Sequence, residues 1–151
     1  MYMPSKPDRY GLKILTLNDA TTHYLFNAIP YCGVISDKDQ AESIPSYYVR
    51  RLCQPIYNTG RNITCDNWFT SIPICQKMLE EYNITMVGTL RKNKREIPAE
   101  FKTKQTDGTK VQFAYSDGKI LVSYNPKSNK IVLLLSSYHM NGKIDETTGK
   151  P

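Results

Sequence analysis

The stretch Arg61–Tyr82 constrains the fold of this chain more than any other feature of its sequence. A short β-prone run, Asn62–Cys65, ends at the acid Asp66, and apolar residues then recur at helical spacing as far as Tyr82. Ile84–Leu90 follows as a mostly apolar strand. The order strand, helix, strand predicts a βαβ unit with two parallel strands.

The predicted helix, Ile72–Tyr82, has recognisable ends. Ser71 is a residue type favoured at the N-cap, and Pro73 is tolerated in a first helical turn. Asn83 can end the helix. We therefore expect the two strands to be neighbours in one sheet, with this helix crossing over them.

Asp66 follows directly after the first of these strands. The carboxyl ends of strands are where open α/β sheets place their sites. The local pattern by itself favours a turn or capping role, because aspartate is common in turns. A metal-binding acid needs space beside it, whereas a structural acid would cap backbone amides or pair with a base. We expect Asp66 to be exposed rather than held in a buried salt bridge.

Four cations crowd into five residues directly after the second strand: Arg91, Lys92, Lys94 and Arg95. A basic loop that leaves the end of a sheet strand can grip phosphates. A solvated charged turn explains the same four residues equally well. The net charge of +6 and the pI of about 9.1 suit an anionic partner such as nucleic acid, although moderately basic surfaces are common.

Two β-rich runs, Tyr10–Leu17 and Thr22–Tyr31, predict a hairpin. Apolar residues on both faces of the first run indicate a covered sheet, and we expect the hairpin to extend the sheet of the βαβ unit. Asp19 lies between the two runs and is interpreted as a turn residue rather than a second catalytic acid.

The remaining elements are a short helix and a β-meander. The helix begins near Pro45 and should end before Pro55, because proline disfavours helix at the preceding residue. Asp117-Gly118 is a strong hairpin signal. The meander is predicted from three short runs: Val111–Tyr115, Ile120–Asn125 and Ile131–Tyr138.

Cysteine usage and hydropathy exclude several classes of protein. The longest aliphatic run, Ile131–Leu135, is far too short to span a bilayer, and the amino terminus has no signal pattern. We expect a soluble intracellular or nuclear protein. The cysteines form no CxxC pair and lie far from both histidines, so we expect free thiols and neither a zinc site nor a disulfide framework: Cys32, Cys53, Cys65 and Cys75.

Two long motifs carry a resemblance to a known family. NITCDNWFTSIP at Asn62–Pro73 and VGTLRKNKREIP at Val87–Pro98 resemble the piggyBac family of DNA transposases. The similarity covers essentially the whole chain. Five further segments agree with the family in order and approximate spacing: Met1–Leu15, Tyr47–Leu52, Leu121–Lys127, Leu134–His139 and Glu146–Pro151.

The resemblance implies a fold and a site. Such transposases have an RNase H-like core in which three aspartates bind two divalent metals, Mg²⁺ or Mn²⁺. Asp66 matches the second aspartate, while the first precedes the segment matched by Met1 and the third lies beyond that matched by Gly149–Pro151. We therefore expect an α/β chain with a partial RNase H-like mixed sheet over residues 1–92. A β-rich insertion, the meander, would occupy residues 93–151.

The resemblance also implies a function. The intact relative cuts at transposon ends and joins them to TTAA targets in DNA, and the resemblance leaves homodimerisation open. Two metals about 4 Å apart perform this chemistry, and one carboxylate cannot hold both. We therefore expect a transposase-derived piece that binds DNA through its basic loop, holds no metal tightly and is inactive alone. The alternative is a non-enzymatic DNA- or protein-binding module derived from a transposase.

Overall fold

The computed structural model describes residues 2–5, 7–31, 33, 35, 38–103, 110–127 and 130–151. The chain divides into two compact units, residues 1–56 and residues 57–151. Both units contain strands and helices, so the chain is of the mixed α/β class. No helix in the described part of the chain is long and apolar enough to cross a membrane.

The first unit consists of a hairpin and a helix. Strands β1 (Ile14–Asn18) and β2 (Leu25–Pro30) pair antiparallel. Helix α1 (Ile44–Cys53) ends before Pro55, as predicted. A single 3₁₀ turn, Gln54–Ile56, follows it and contains that proline. The N-cap is Ser43, whose side chain accepts a hydrogen bond from the Ser46 amide.

The turn of the hairpin is organised by Asp19. Its Oδ1 atom accepts hydrogen bonds from the backbone amides of Thr21 and Thr22 and from the Thr22 hydroxyl. These bonds, with that from the Thr22 amide the strongest, hold the pKa of Asp19 below its usual value. The interpretation of Asp19 as a turn residue is confirmed.

The second unit is built on a five-stranded mixed sheet in the order β3-β4-β7-β6-β5. Strands β3 and β4 are parallel, and the other neighbouring pairs are antiparallel. The elements of this unit are, in chain order, β3 (Asn62–Cys65), α2 (Ile72–Tyr82), β4 (Thr85–Leu90), α3 (Ala99–Lys102), β5 (Val111–Ser116), β6 (Lys119–Lys127) and β7 (Lys130–Ser136).

The βαβ unit has the predicted form. Strands β3 and β4 are parallel neighbours, and α2 connects them. Ser71 caps the amino end of α2, and Asn83 ends the helix in the left-handed conformation with φ of 50°. The helix buries Ile74, Cys75 and Met78.

The meander joins the same sheet. A tight turn connects β5 to β6 through Asp117 and Gly118, whose φ angles are 46° and 68°. Strand β7 then pairs antiparallel with β4, with Val87 opposite Ser136. Both edges of β4 are therefore occupied, by β3 on one side and β7 on the other.

The prediction that the hairpin extends this sheet is wrong. In the described part of the chain, β1 and β2 bond to each other as a separate two-stranded sheet. Strand β7 takes the free edge of β4, so the larger sheet grows through the meander instead. The expected covering of both hairpin faces is absent as well, because Leu12 is 91% and Ile14 54% exposed.

Three of the four cysteines are described, and all three are free: Cys53, Cys65 and Cys75. Burial raises the pKa of the Cys53 thiol to about 12 and raises that of Cys75 as well. These two thiols are therefore protonated and unreactive at neutral pH. Cys32 lies outside the described residues.

Candidate nucleic-acid interface

Asp66 is exposed at the carboxyl end of β3, as expected. Its Oδ1 atom accepts hydrogen bonds from the backbone amides of Trp68, at 2.9 Å, and Phe69, at 3.3 Å. Asp66 therefore caps the turn that leads towards α2, which is the behaviour expected of a structural acid. Its Oδ2 atom accepts no hydrogen bond from any described residue, so one carboxylate oxygen is free to bind a ligand.

The turn that begins at Asp66 packs against the neighbouring strand, β4. The Thr70 amide and hydroxyl both donate to the Asp66 carbonyl oxygen, at 3.1 Å and 2.7 Å. Thr70 is fully buried against Gly88 of β4. A Cβ atom at position 88 would overlap Thr70 Oγ1 and would lie 2.7 Å from the Cys65 carbonyl oxygen. The turn thus requires glycine at position 88. A glycine inside a strand often marks a site where another part of the backbone approaches closely.

The basic loop, defined as Arg91, Lys92, Lys94 and Arg95, begins where β4 ends. Because β3 and β4 are parallel, their carboxyl ends lie at the same edge of the sheet. The loop and the Asp66 turn meet there, since Arg91 Nε donates a hydrogen bond of 3.1 Å to Asn67 Oδ1. The structure therefore brings together the two features that the sequence predicts separately.

Hydrogen bonds hold the backbone of the basic loop, whereas two of its side chains have no partner among the described residues. Lys102 Nζ donates to the Lys94 carbonyl oxygen at 2.6 Å, and the Lys94 amide donates to the Arg91 carbonyl oxygen. Lys92 and Arg95 are exposed, and their side chains form no ion pair or hydrogen bond with the residues that the structure describes. The guanidinium of Arg91 is oriented through Nε, so its two terminal nitrogens can bind a phosphate.

The interface is a surface rather than a pocket. A groove of about 400 Å³ does lie on the second unit, lined by residues that include Ile72, Gln76 and Lys119. Neither Asp66 nor any residue of the basic loop lines it. An open, cationic edge suits the phosphate backbone of a nucleic acid better than it suits an enclosed small molecule.

The described residues do not fit a pair of divalent metals. Within residues 38–103, 110–127 and the other described ranges, no group of three or more His, Cys, Asp or Glu side chains is placed to hold an ion. Asp66 offers one oxygen, whereas Mg²⁺ requires octahedral oxygen ligation. The Asp145 carboxylate organises its own turn, because Oδ1 accepts hydrogen bonds from Thr147 and Thr148, and these bonds lower its pKa to about 2.

Comparison with known proteins identifies the family. The family model described as "Transposase IS4" matches residues 1–150. A solved structure, "Cryo-EM structure of piggyBac transposase synaptic complex with hairpin DNA (SNHP)", is 46% identical in sequence to this chain, with a TM-score of 0.90. The match covers 100% of this chain and 32% of the chain in that structure, so this chain spans about a third of that protein's length. The chain therefore belongs to the transposase IS4 family and is piggyBac-like.

Proposed function

We propose that this chain supplies part of the catalytic core of a cut-and-paste DNA transposase that acts at TTAA sites. Asp66 would be one of three catalytic aspartates on an RNase H-like core over residues 1–92, with residues 93–151 as its β-rich insertion. The observation that carries the proposal is the hydrogen bond from Arg91 to Asn67. This bond joins the Asp66 turn to the basic loop at one edge of the sheet.

The two features have complementary roles in this proposal. The basic loop binds the phosphate backbone, which fixes the position of a DNA strand without reading its sequence. Asp66 Oδ2 accepts no hydrogen bond from the described residues and would be free to hold a metal beside that strand. Divalent metals, when held by the full set of acids, supply activation of the nucleophile and stabilisation of the leaving oxygen. The described residues hold one of those acids, so this chain alone should not cut DNA.

The experiment is a titration of the purified chain into a fluorescent DNA duplex across a salt series. We expect weak binding that falls steeply with salt and is equal for duplexes with and without TTAA, because phosphate contacts are driven by charge. The chain is also incubated with a plasmid that carries TTAA-flanked transposon ends, with Mg²⁺ or Mn²⁺. We expect no nicking and no strand transfer.

Absence of DNA binding at low salt would contradict the proposed partner. Metal-dependent cleavage that disappears in Asp66→Asn would show that the chain completes a catalytic site by itself. The alternative, a non-enzymatic DNA- or protein-binding module, draws support from the two backbone amides that Asp66 caps. It predicts the same DNA binding but no catalytic role for Asp66.

A further inference from the structure

A second group of cations lies at the same edge of the five-stranded sheet as the basic loop. Strand β7 runs antiparallel to β4, with Leu90 opposite Leu133, so the start of β7 extends past the carboxyl end of β4. The end of β6 lies beside it, because Lys127 pairs with Lys130. Strand β5 starts at this edge too, since the Asn125 amide donates to the Lys110 carbonyl oxygen at 2.8 Å.

We name the three lysines at this edge, Lys110, Lys127 and Lys130, the lysine edge. All three are exposed. Within the described part of the chain, none of their ammonium groups forms an ion pair, and the ion pairs there lie elsewhere, at Arg50 and Lys77. No acid of the described residues therefore neutralises their charges.

Helix α3 connects strand β6 to the basic loop. Lys102 of α3 donates to the Lys94 carbonyl oxygen in the loop, at 2.6 Å. The Phe101 carbonyl oxygen accepts a hydrogen bond of 3.0 Å from the hydroxyl of Ser123 on β6. Helix α3 is thus bonded to the basic loop on one side and to β6 on the other. Within residues 91–103, all of which the structure describes, the exposed acids are Glu96 and Glu100, which are fewer than the five cations of that stretch.

We propose that the lysine edge and the basic loop form one continuous contact surface for the phosphate backbone of duplex DNA. The proposal rests on the proposed function, because it extends the DNA contact from the basic loop across the meander. Strands β4 to β5 span three strand spacings, or about 14 Å. A duplex presents about eight phosphate charges over that length of axis. Cations at both ends of the surface therefore contact the same duplex.

The test replaces Lys110, Lys127 and Lys130 with alanine and measures duplex binding across a salt series. Each lost phosphate contact lowers the salt slope by about 0.9, so three contacts lower it by about 2.7 and weaken binding by up to about 500-fold near 0.1 M salt. A matched control removes three exposed cations from other parts of the same unit: Arg61, Lys143 and Lys150. It should bind like the unmodified chain. Arginine at the three lysine positions should also preserve binding, which separates lost charge from altered structure.

The outcomes distinguish this inference from the proposed function. If the lysine-edge variant binds like the control while removal of the basic-loop charges weakens binding, the continuous surface is wrong and the proposed function stands. If neither variant changes the affinity or its salt slope, the proposed DNA interface itself is wrong. Loss of affinity in the lysine-edge variant with retention in the arginine variant supports the continuous surface.

Discussion

Replacing Gly88 with alanine is expected to lower the free energy of unfolding by about 1–3 kcal/mol, the usual cost of inserting a methyl group into a packed interior. The added Cβ would overlap Thr70 Oγ1 and press on the Cys65 carbonyl oxygen. Neither can move freely, because Thr70 is fully buried and its hydroxyl is bonded to the Asp66 carbonyl. The strain therefore falls on the Asp66 turn. Denaturant unfolding followed by the fluorescence of Trp68, the one tryptophan of the chain, measures it.

Two variants sharpen this test. Gly11→Ala is the control for the effect of alanine on the unfolded chain, since its Cβ would meet Met3 Cε at an ordinary 3.6 Å. We expect it to change stability by less than about 0.5 kcal/mol. Thr70→Ala removes two of the three crowding atoms, so the double variant should lose less stability than the two single losses added together. If the Gly88→Ala variant is as stable as the unmodified chain, the Asp66 turn does not pack against Gly88 as described.

Alanine at all four positions of the basic loop is expected to weaken DNA binding by up to about 4,000-fold near 0.1 M salt, because each phosphate contact contributes about 0.9 to the salt slope. The four residues are Arg91, Lys92, Lys94 and Arg95. The folded structure should persist, since Lys92 and Arg95 are exposed and the bonds of Lys94 use its backbone atoms.

The matched control converts Arg91 and Arg95 to lysine and so keeps all four charges. It should retain the salt slope, although loss of the guanidinium that Asn67 orients should lower the affinity modestly. An unchanged affinity and salt slope in the four-alanine variant would rule the loop out as the DNA contact. Measurements at several salt concentrations are essential, since one affinity does not separate charge from packing.

The local parts of the fold could be predicted from sequence. Helix α2 was identified to the residue because its apolar spacing, its Ser71 cap and its Asn83 terminus are all short-range signals. The parallel pairing of β3 with β4 follows from the helix that joins them. The position of Asp66 at the sheet edge was predicted for the same reason.

Features that depend on long-range pairing could not be predicted. The sheet continues through β7, which follows β4 only after α3, β5 and β6, and no local pattern specifies that partner. The lysine edge depends on the same pairing and is dispersed along the sequence. The bond between Arg91 and Asn67 spans 24 residues and follows from the parallel register rather than from either motif.

Transposon excision by a chimera tests most directly whether Asp66 is a catalytic carboxylate. The 151 residues of this chain replace the segment that they match in the piggyBac transposase, to which they are 46% identical. Excision of a TTAA-flanked transposon is then measured for the chimera, for its Asp66→Asn variant and for an Asp145→Asn control. We expect excision by the chimera and the control and none by Asp66→Asn. Continued excision by Asp66→Asn would contradict a catalytic role for Asp66 and would leave the chain a DNA-binding module.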